Sequence, residues 1–392
     1  MQGNLLFMRY YIIAGEASGD LHGSNLIKEL KRIDPDAIVR CWGGDKMQAA
    51  GGTLVKHYKE LAFMGFTEVV KNLRTIFRNL DLCKTDISNY KPDALILIDY
   101  PGFNLRIAKW ARQQGLRIIY YISPQVWAWK ENRVKMMKQC IDKMLVILPF
   151  EKDYYKNKWN WEVEYVGHPL VEVIDEFNVE NAKMAGHRPL TTDHPLPTSN
   201  SPLIALLPGS RKQEILKKLP IMLEVTKYFP AYQFVVAKAP GLDDNFYSAL
   251  LAPYQNVSSV ANKTYELLSR AKAALVTSGT ATLETALFNV PEVICYKGGA
   301  LSYQIAKRLI KIKFIGLVNL IMDKEVVKEL IQDELTVKNL HYELDELLTN
   351  EKKQDQLSKD YAALKQLLSK GGHASANAAK SICDLLALSP KG

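Results

Sequence analysis

Residues 10–20 read YYIIAGEASGD, an apolar strand followed by a glycine-containing turn and the start of a helix. The helical pattern continues to Arg32. Short apolar runs then recur, with helix-length segments between them: Ala37–Trp42, Ala94–Asp99, Arg117–Ile122, Lys143–Leu148 and Val163–Val166. Strands that are apolar throughout and alternate with helices are typical of a parallel sheet covered on both faces. The first half of the chain is therefore predicted to be an α/β domain.

A second alternation of strands and helices follows a polar, proline-rich stretch. Asn178–Pro202 contains four prolines among Thr, Ser, Asn and His residues, a composition typical of a linker or loop. Predicted strands follow at Leu203–Leu207, Gln233–Ala237, Ala273–Thr277 and Glu292–Tyr296. Beyond Leu301 the pattern predicts only helices, up to Leu388. Two such domains facing each other would bind a ligand in a cleft, at the carboxyl ends of their strands.

Composition excludes several classes of protein. Of 392 residues, 47% are apolar and 24% charged, which excludes disordered and fibrous chains. No apolar run approaches the roughly 18 residues that cross a bilayer. Arg9 splits the apolar residues of the N-terminus and no small-residue cleavage site follows, so the protein is predicted not to be exported, whether it starts at Met1 or at Met8. The formal net charge of +9 suits anionic partners, but no block of like charges favours nucleic acid.

Cysteine and histidine patterns give little support to a metal site. The five cysteines are widely spaced, without C-x-x-C, so a reducing compartment is expected rather than disulfides or zinc. No H-E-x-x-H pattern occurs. Asp34-Pro35-Asp36 matches the Asp-x-Asp of some sugar transferases, but its position between a helix and a strand is ordinary turn chemistry. We therefore predict no metal and no cofactor.

Two motifs of the first half combine glycine or proline with acids at the end of a strand. The turn with Glu16, Ser18, Gly19 and Asp20 could bind a hydroxyl-rich or anionic ligand, or could simply be a capped turn. It is neither G-x-G-x-x-G nor a P-loop. Asp99 ends an apolar strand and precedes Pro101, so it is a candidate general base or the cap of the next helix.

An aromatic run follows the predicted strand Arg117–Ile122. Tyr120 to Lys130 includes Ser123, Trp127 and Trp129. Aromatic side chains of this kind pack against a sugar face or an acyl chain, although Trp also serves core packing. The two tryptophans lie in a predicted loop beside basic residues, which favours a ligand-binding wall.

Two helix starts in the second half are suited to a diphosphate. Gly209-Ser210-Arg211 ends a strand, and a cation at a helix N-terminus opposes the helix dipole unless an anion binds there. A capping box would explain Ser210 but not Arg211. At the second start, the backbone and hydroxyls of Ser278, Gly279 and Thr280 could hold a diphosphate, and Glu284 could reach ribose hydroxyls; a capped helix is the alternative.

Two basic, amphipathic stretches could touch an anionic membrane surface. Leu61–Leu80 carries Lys71 and Arg74, and Tyr303–Leu317 carries further lysines and an arginine. Core-packed helices with solvated basic faces are the more usual interpretation of this pattern.

Seven motifs in order resemble the lipid-A-disaccharide synthase family. They are AGEASGD (14–20), IDYPGFN (98–104), YISPQVWAW (121–129), LPFE (148–151), VGHP (166–169), LPGSR (207–211) and SGTATLE (278–284). The resemblance covers most of the chain, from about Met8 to Leu388. It departs from the family at Gly102, where many members have a second acid, and in the length of the linker.

The resemblance implies an α/β fold with two Rossmann-like domains facing across a cleft (GT-B), and an inverting glycosyltransferase of lipid A synthesis in Gram-negative bacteria. The expected donor is UDP-2,3-diacylglucosamine, the acceptor is 2,3-diacylglucosamine 1-phosphate, and the products are a β(1→6) disaccharide 1-phosphate and UDP. The implied domains are 8–177 for the acceptor and 203–355 for the UDP-sugar, joined by the linker 178–202. Helices over 356–388 are expected to return to the first domain.

The resemblance also assigns roles to residues. Asp99 matches the family's essential acid, a candidate base for the acceptor hydroxyl, and Arg211 matches its essential arginine on the leaving diphosphate. The expected donor site consists of Gly209, Ser210, Arg211, Ser278, Gly279, Thr280, Glu284 and Asn319. The expected acceptor site consists of Glu16, Ser18, Gly19, Asp20, Ser123 and Trp127.

The enzyme is expected in the cytoplasm, peripherally bound to the inner membrane surface. Rival hypotheses are another UDP-GlcNAc-type transferase, a UDP-sugar epimerase, or a non-catalytic nucleotide-sugar-binding regulator. A nucleic-acid binder is the weakest rival, because no basic run alternates with aromatic residues in a known module.

Overall fold

The computed structural model describes residues 8–61, 73–128, 130–184, 201–239, 242–299 and 313–387. These residues form two compact units. The first consists of the chain up to Pro169 together with the chain from Leu368 onward, and the second runs from Leu170 to Leu367. Each unit is built on one sheet in which every pair of neighbouring strands is parallel.

The first unit contains a seven-stranded sheet. Its strands are β1 (Arg9–Ala14), β2 (Ile38–Gly43), β3 (Thr53–His57), β4 (Ala94–Ile98), β5 (Ile118–Tyr121), β6 (Lys143–Val146) and β7 (Glu164–Tyr165), in the order β3-β2-β1-β4-β5-β6-β7. The helices between them are α1 (Ala17–Ile33), α2 (Asp45–Ala49), α3 (Leu73–Tyr90), α4 (Pro101–Gln113), α5 (Arg133–Cys140) and α6 (Pro149–Trp159). A 3-10 turn, Tyr58–Glu60, follows β3.

Both faces of this sheet are covered, which explains why its central strands are apolar at every position. Tyr10 and Ile12 lie in one core cluster, with Leu26 of α1. Tyr11 and Ile13, the alternate residues of β1, lie in a second cluster. Successive side chains of a strand point to opposite faces, so burial on both sides requires an unbroken apolar run.

The second unit contains a six-stranded sheet. Helix α7 (Pro169–Met184) enters the unit, and the strands are β8 (Leu203–Leu207), β9 (Gln233–Lys238), β10 (Val257–Ala261), β11 (Ala271–Thr277), β12 (Glu292–Tyr296) and β13 (Lys328–Ile331), in the order β10-β9-β8-β11-β12-β13. The helices after β8 are α8 (Lys212–Thr226), α9 (Asp244–Leu251), α10 (Thr264–Leu268), α11 (Thr280–Leu287), α12 (Leu317–Met322), α13 (Val337–Thr349) and α14 (Glu351–Ser369). A 3-10 turn, Gln332–Glu334, follows β13.

The last helix, α15 (Ala374–Ala387), belongs to the first unit. Ala378 and Ile382 pack in the same core cluster as Tyr10. Polar contacts fix the helix beside β7: Asn377 Nδ2 donates to the carbonyl of Val166 at 3.1 Å, and Ser381 Oγ donates to Glu164 at 2.8 Å. Helix α14 stays with the second unit as far as Leu367.

The structure corrects three predictions of local structure. The expectation of helices alone beyond Leu301 is wrong at β13, which pairs with β12. Strands β3 and β10, at the edges of their sheets, were not predicted. The expected linker begins later than Asn178, because residues 178–184 are the last turns of α7.

Other predicted stretches lie partly outside the described residues. Residues 62–72 of the first basic stretch, 185–200 of the linker and 303–312 of the second basic stretch are among them. None of the helices in the described ranges is long and apolar enough to cross a membrane.

Candidate active site

Three loops of the first unit leave its sheet at one edge. They follow β1, β4 and β5, and β4 pairs in parallel with both of the other strands. The loops contain the predicted acceptor residues and Asp99. Because the carboxyl ends of parallel strands share an edge, the fold brings these three motifs to the same side of the sheet.

The backbone at Asp99 is strained and supported by side chains. Asp99 and Tyr100 have φ of 42° and 47°, a left-handed region that side chains other than glycine seldom adopt. Tyr120 Oη and Asn104 Nδ2 both donate to the carbonyl of Asp99, at 2.5 and 2.8 Å. Such conformations cost about 1–3 kcal/mol each and cluster at functional sites.

Gly15 makes room for the Asp99–Tyr100 turn. A Cβ atom at position 15 would lie 2.3–2.6 Å from ring carbons of Tyr100. That separation is shorter than any real carbon contact, so the ring occupies the space that a side chain would need. The glycine of the first motif and the aromatic residue of the second are therefore one packing unit.

The carboxyl group of Asp99 holds its proton more tightly than an ordinary aspartate. Burial, and then the negative charge of Glu16, raise the pKa of Asp99 from 3.8 to about 7. A carboxylate with a pKa near the working pH is a better proton acceptor than one with a pKa of about 4. Asp99 is thus suited by position and by electrostatics to act as a general base.

The remaining residues of the first motif differ in how accessible they are. Glu16 is partly buried, Ser18 is exposed and Gly19 is buried. The Asp20 carboxylate is buried and caps α2: it accepts hydrogen bonds from the backbone N–H groups of Gly44, Lys46 and Met47 at 2.7–3.2 Å. Among the predicted acceptor-binding residues of this loop, the Asp20 carboxylate is bonded to the backbone of α2, whereas Glu16 is partly exposed and Ser18 is exposed.

The serine and tryptophan of the aromatic motif are joined to α6 by hydrogen bonds. Trp127 Nε1 donates to Glu151 at 3.2 Å, and Ser123 Oγ lies 2.7 Å from the hydroxyl oxygen of Tyr155. Phe150 packs edge-on against the Trp127 ring, with centroids 4.9 Å apart. Trp127 is partly exposed, whereas Ser123 is buried. Trp127 therefore reaches the surface in part, whereas Ser123 is held within the fold; Trp129 lies outside the described residues.

Glu151, which accepts the hydrogen bond from Trp127, was not among the site residues predicted from the sequence. Burial raises its pKa to about 8, although hydrogen bonds from the Leu148 N–H and from Trp127 oppose the rise. Its position three residues after Leu148 is that of a capping-box acid, which was the available signal.

Two loops of the second unit also share an edge. They follow β8 and β11, which are parallel neighbours. In the first loop Gly209 has φ of 115°, a conformation that favours glycine, and Arg211 is the N-cap residue of α8. The Arg211 side chain is exposed, and its Nη1 lies 3.4 Å from Glu214 Oε1. This turn presents a cation at the amino end of a helix, where an anion is favoured.

The second loop supplies small residues and an acid. Ser278 Oγ donates to the carbonyl of Ile315 at 2.9 Å, while Gly279 and Thr280 are exposed at the start of α11. Glu284 accepts a hydrogen bond from Tyr265 Oη at 2.9 Å, and burial raises its pKa. The exposed backbone at Gly279 and Thr280 can approach a diphosphate, whereas Ser278 and Glu284 each have a protein partner.

Comparison with known proteins decides the family. A sequence model of the lipid-A-disaccharide synthetase family matches residues 10–383. Lipid-A-disaccharide synthase 1 of Legionella pneumophila (strain Lens) is 39% identical over 367 residues, which are 92% of this chain and 93% of the relative. The chain belongs to the lipid-A-disaccharide synthase family. It is therefore a glycosyltransferase of lipid A disaccharide synthesis.

Solved structures of other proteins share the fold of this synthase family member. UDP-GlcNAc 2-epimerase from Neisseria meningitidis aligns with a TM-score of 0.63, 13% identity, and coverage of 97% of this chain and 100% of that one. The glycosyltransferase of kitacinnamycin aligns with a TM-score of 0.65, 14% identity, and coverage of 97% and 99%. The predicted α/β fold with two Rossmann-like, GT-B-type domains is confirmed.

Asn319, which was predicted to lie near the donor, has no hydrogen-bonding capacity left. Asn319 is completely buried; its Nδ2 donates to the carbonyl of Val327 and to Glu329, and its Oδ1 accepts from the N–H groups of Val326 and Val327, all at 2.8–3.0 Å. Glu329 in turn accepts from the N–H groups of Ile315 and Gly316. Asn319 therefore fixes the segment that also binds Ser278, and a donor contact would require these bonds to break.

Within the ranges that the structure describes, no group of three or more His, Cys, Asp or Glu side chains could hold a metal ion in this synthase family member. Asp34 accepts a hydrogen bond from the Met8 N–H at 3.1 Å, which is a structural contact.

Proposed function

We propose that the chain transfers 2,3-diacylglucosamine from UDP-2,3-diacylglucosamine to the 6-hydroxyl of 2,3-diacylglucosamine 1-phosphate. The products are the β(1→6)-linked disaccharide 1-phosphate and UDP. Membership of the lipid-A-disaccharide synthase family supports the overall reaction. The observation that carries the mechanism is Asp99, held in a strained turn at a strand end with a pKa of about 7.

In the proposed step Asp99 accepts the proton of the acceptor hydroxyl. As the proton leaves, the hydroxyl oxygen forms a bond to C1 of the donor sugar, on the face opposite the leaving group. The bond between C1 and the diphosphate oxygen breaks, and its electron pair leaves with UDP. One displacement inverts the configuration at C1. Hydrogen bonds from Tyr120 and Asn104 to the Asp99 carbonyl hold the backbone that carries this carboxylate.

On the donor side, we propose that Arg211 neutralises the charge that develops on the diphosphate. Its guanidinium is exposed at the amino end of α8, and a charge-assisted hydrogen bond to phosphate is stronger than a neutral one. The backbone at Gly209, Ser210, Gly279 and Thr280 would approach the same diphosphate, and Glu284 the ribose. Ser278 and Asn319 then act by shaping this side of the site rather than through their bonded side-chain atoms.

On the acceptor side, we propose that Trp127 packs against the substrate and that Glu16 and Ser18 meet its polar groups. Gly19, Asp20 and Ser123 support these residues from buried positions. An acylated acceptor resides in a lipid bilayer, so the enzyme would work peripherally at the cytoplasmic face of the inner membrane. Flotation with anionic vesicles tests this: protein that stays at the bottom of the gradient with and without acceptor in the vesicles would count against membrane contact.

The reaction is tested by measuring UDP release from UDP-2,3-diacylglucosamine, with and without acceptor, each repeated in EDTA. Release that requires the acceptor and survives EDTA supports the proposal. Release of UDP without acceptor, or conversion of UDP-N-acetylglucosamine alone, would favour a hydrolase or an epimerase. Loss of UDP release in EDTA would show that the reaction needs a metal ion, contrary to the proposal.

Two substitutions test the assigned roles. We expect Asp99→Asn to abolish turnover, and Arg211→Ala to lower kcat by about 10²–10³-fold, the range seen when a preorganised transition-state donor is removed. Lys217→Ala is the matched control for Arg211, since Lys217 is also an exposed cation near the start of the same helix. Turnover near the wild-type rate in Asp99→Asn or in Arg211→Ala would refute the corresponding role.

A further inference from the structure

A lysine is buried beneath the Gly209 turn. Only 3% of the Lys218 side chain is exposed, although lysine is almost never buried unless paired. Among the described residues, the one carboxylate within 4.0 Å of its ammonium group is that of Glu214, at 3.9 Å. A separation of that length is a weak ion pair, and burial of the ammonium lowers the pKa of Lys218.

The ammonium group lies directly behind the turn. A Cβ atom at Gly209 would be 3.6 Å from Lys218 Nζ, 3.1 Å from Glu214 Oε2 and 3.5 Å from Thr277 Cγ2. The hydroxyl oxygen of Thr277 is buried and has no hydrogen-bond partner among the described residues. The ammonium group of Lys218 and the methyl group of Thr277 therefore lie against the turn that carries Arg211.

Arg211, Glu214 and Lys218 form a row of alternating charge on α8. Their spacing of three and four residues places them on one face of the helix. Glu214 Oε1 lies 3.4 Å from Arg211 Nη1, and Glu214 Oε2 lies 3.9 Å from Lys218 Nζ. One carboxylate is thus shared between an exposed cation and a buried one. Without Lys218 the row would be neutral and Glu214 would repel an incoming diphosphate.

We infer that Lys218 is a positioning residue of the donor site, whose buried ammonium compensates Glu214 and so releases Arg211 to bind the diphosphate of a nucleoside diphosphate sugar. This inference rests on the proposed function. When Arg211 turns to the diphosphate, Glu214 keeps a cationic neighbour in Lys218. The net charge of the row stays at +1, which favours binding of the anionic diphosphate.

Calorimetric titration with UDP compares wild type with Lys218→Met and with Lys217→Met. Both variants lose one positive charge, but Lys217 is exposed and Lys218 is buried. We expect Lys218→Met to weaken UDP binding about tenfold, at the lower end of typical couplings between sites, and Lys217→Met to leave it within twofold. In turnover, the KM for the donor rises in Lys218→Met and the KM for the acceptor does not.

Unfolding experiments separate this role from a structural one. Methionine matches the length of lysine without a charge to desolvate, so Lys218→Met is expected to unfold at no lower temperature than wild type. A lower midpoint together with unchanged affinity for UDP would mean that Lys218 only supports the fold, and would overturn the inference.

Proton uptake gives a second test that needs no variant. Burial lowers the pKa of Lys218 and a nearby diphosphate favours its charged form, so UDP binding is expected to take up more protons as the pH rises from about 7.5 to 9. The β-phosphate of UDP, with a pKa of about 6, is already ionised in this range. The groups that act on Lys218 are Glu214, Arg211 and Lys217 of α8 and Cys295 of β12. Titration in Tris and in bicine, which differ in ionisation enthalpy, counts the protons.

Uptake by wild type that does not grow as the pH rises overturns the inference, even if Lys218→Met fails to fold. If wild type binds UDP and Lys218→Met binds it equally well, the inference fails and the proposed function stands. If wild type does not bind UDP at all, the donor site of the proposed function fails, and the inference fails with it.

Discussion

Replacing Asp99 with asparagine is expected to abolish transfer and at the same time to stabilise the first unit above pH 7. Asp99 sits in a partly buried turn near the negative charge of Glu16, and these two causes raise its pKa from 3.8 to about 7. In the unfolded chain the same group ionises freely near pH 3.9. At pH 8 the folded protein must therefore hold a carboxylate that its surroundings disfavour, and asparagine removes that charge.

The magnitude follows from the size of the shift. The difference between about 7 and 3.8 is about 3 pH units, and each unit corresponds to 1.36 kcal/mol, so the charged Asp99 costs the folded state about 4 kcal/mol. Below pH 4 the group is protonated in both states and the cost vanishes. The stability difference between Asp99→Asn and wild type is expected to grow by about 1.4 kcal/mol per pH unit between pH 4 and 7, then to stay constant.

Tryptophan fluorescence during urea unfolding measures this difference in the right unit. All six tryptophans lie in the part of the sequence that belongs to the first unit: Trp42, Trp110, Trp127, Trp129, Trp159 and Trp161. The signal is therefore insensitive to unfolding of the second unit. Wild type and Asp99→Asn are compared at each pH, so that titrations of other groups cancel.

A stability difference that does not change between pH 4 and 8 would refute the reasoning, because it would mean that the pKa of Asp99 is ordinary. The wild-type pH–rate profile is an independent check. If Asp99 is the base, kcat/KM rises with pH and levels off above about pH 7, where the carboxylate is ionised. If kcat/KM instead levels off near pH 4, the pKa of Asp99 is not raised.

Three further substitutions test the neighbours of Asp99 and the support of the donor site. Glu16→Gln removes the second cause of the raised pKa of Asp99, so the rise in kcat/KM is expected to move to lower pH; an unmoved profile would contradict this. Gly15→Ala forces a methyl group into the Tyr100 ring and is expected to lower the free energy of unfolding of the first unit by about 1–3 kcal/mol, measured by tryptophan fluorescence; an unchanged midpoint would show that the ring moves away. Asn319→Ala leaves buried N–H and C=O groups without partners and is expected to lower the thermal midpoint as well as donor affinity; an unchanged midpoint would contradict a structural role for Asn319.

The central strands could be predicted from the sequence because their burial leaves a simple pattern. Leu203–Leu207 is buried at every position, and its predicted and observed bounds agree to the residue. The edge strands Thr53–His57, Val257–Ala261 and Lys328–Ile331 were missed, since each is partly exposed and mixes polar with apolar residues. In Lys328–Ile331 the residues favour a helix, and pairing with β12 overrides that local preference.

The position of Asp99 was predictable for a different reason: a polar residue that ends an apolar strand lies at the edge where α/β proteins place their sites. What Asp20 does was not predictable, because its partners are the backbone groups of Gly44, Lys46 and Met47, which follow another strand. The same holds for Glu151, whose partner Trp127 lies 24 residues away along the chain. Partners of this kind are set by the packing of distant segments.

Each unit contains a charged group that burial disfavours, and the proposed reaction lowers the free-energy cost of both. Asp99 is a carboxylate disfavoured by burial and by Glu16, so accepting the proton of a hydroxyl group lowers its cost in the folded state. Lys218 is an ammonium disfavoured by burial, so the arrival of a diphosphate at the Gly209 turn lowers its cost as well. Substitutions that neutralise either group are therefore expected to gain stability where they lose function. A gain in stability from both substitutions would be difficult to explain if these residues served only the fold, because the protein loses stability when a residue that supports the fold is replaced.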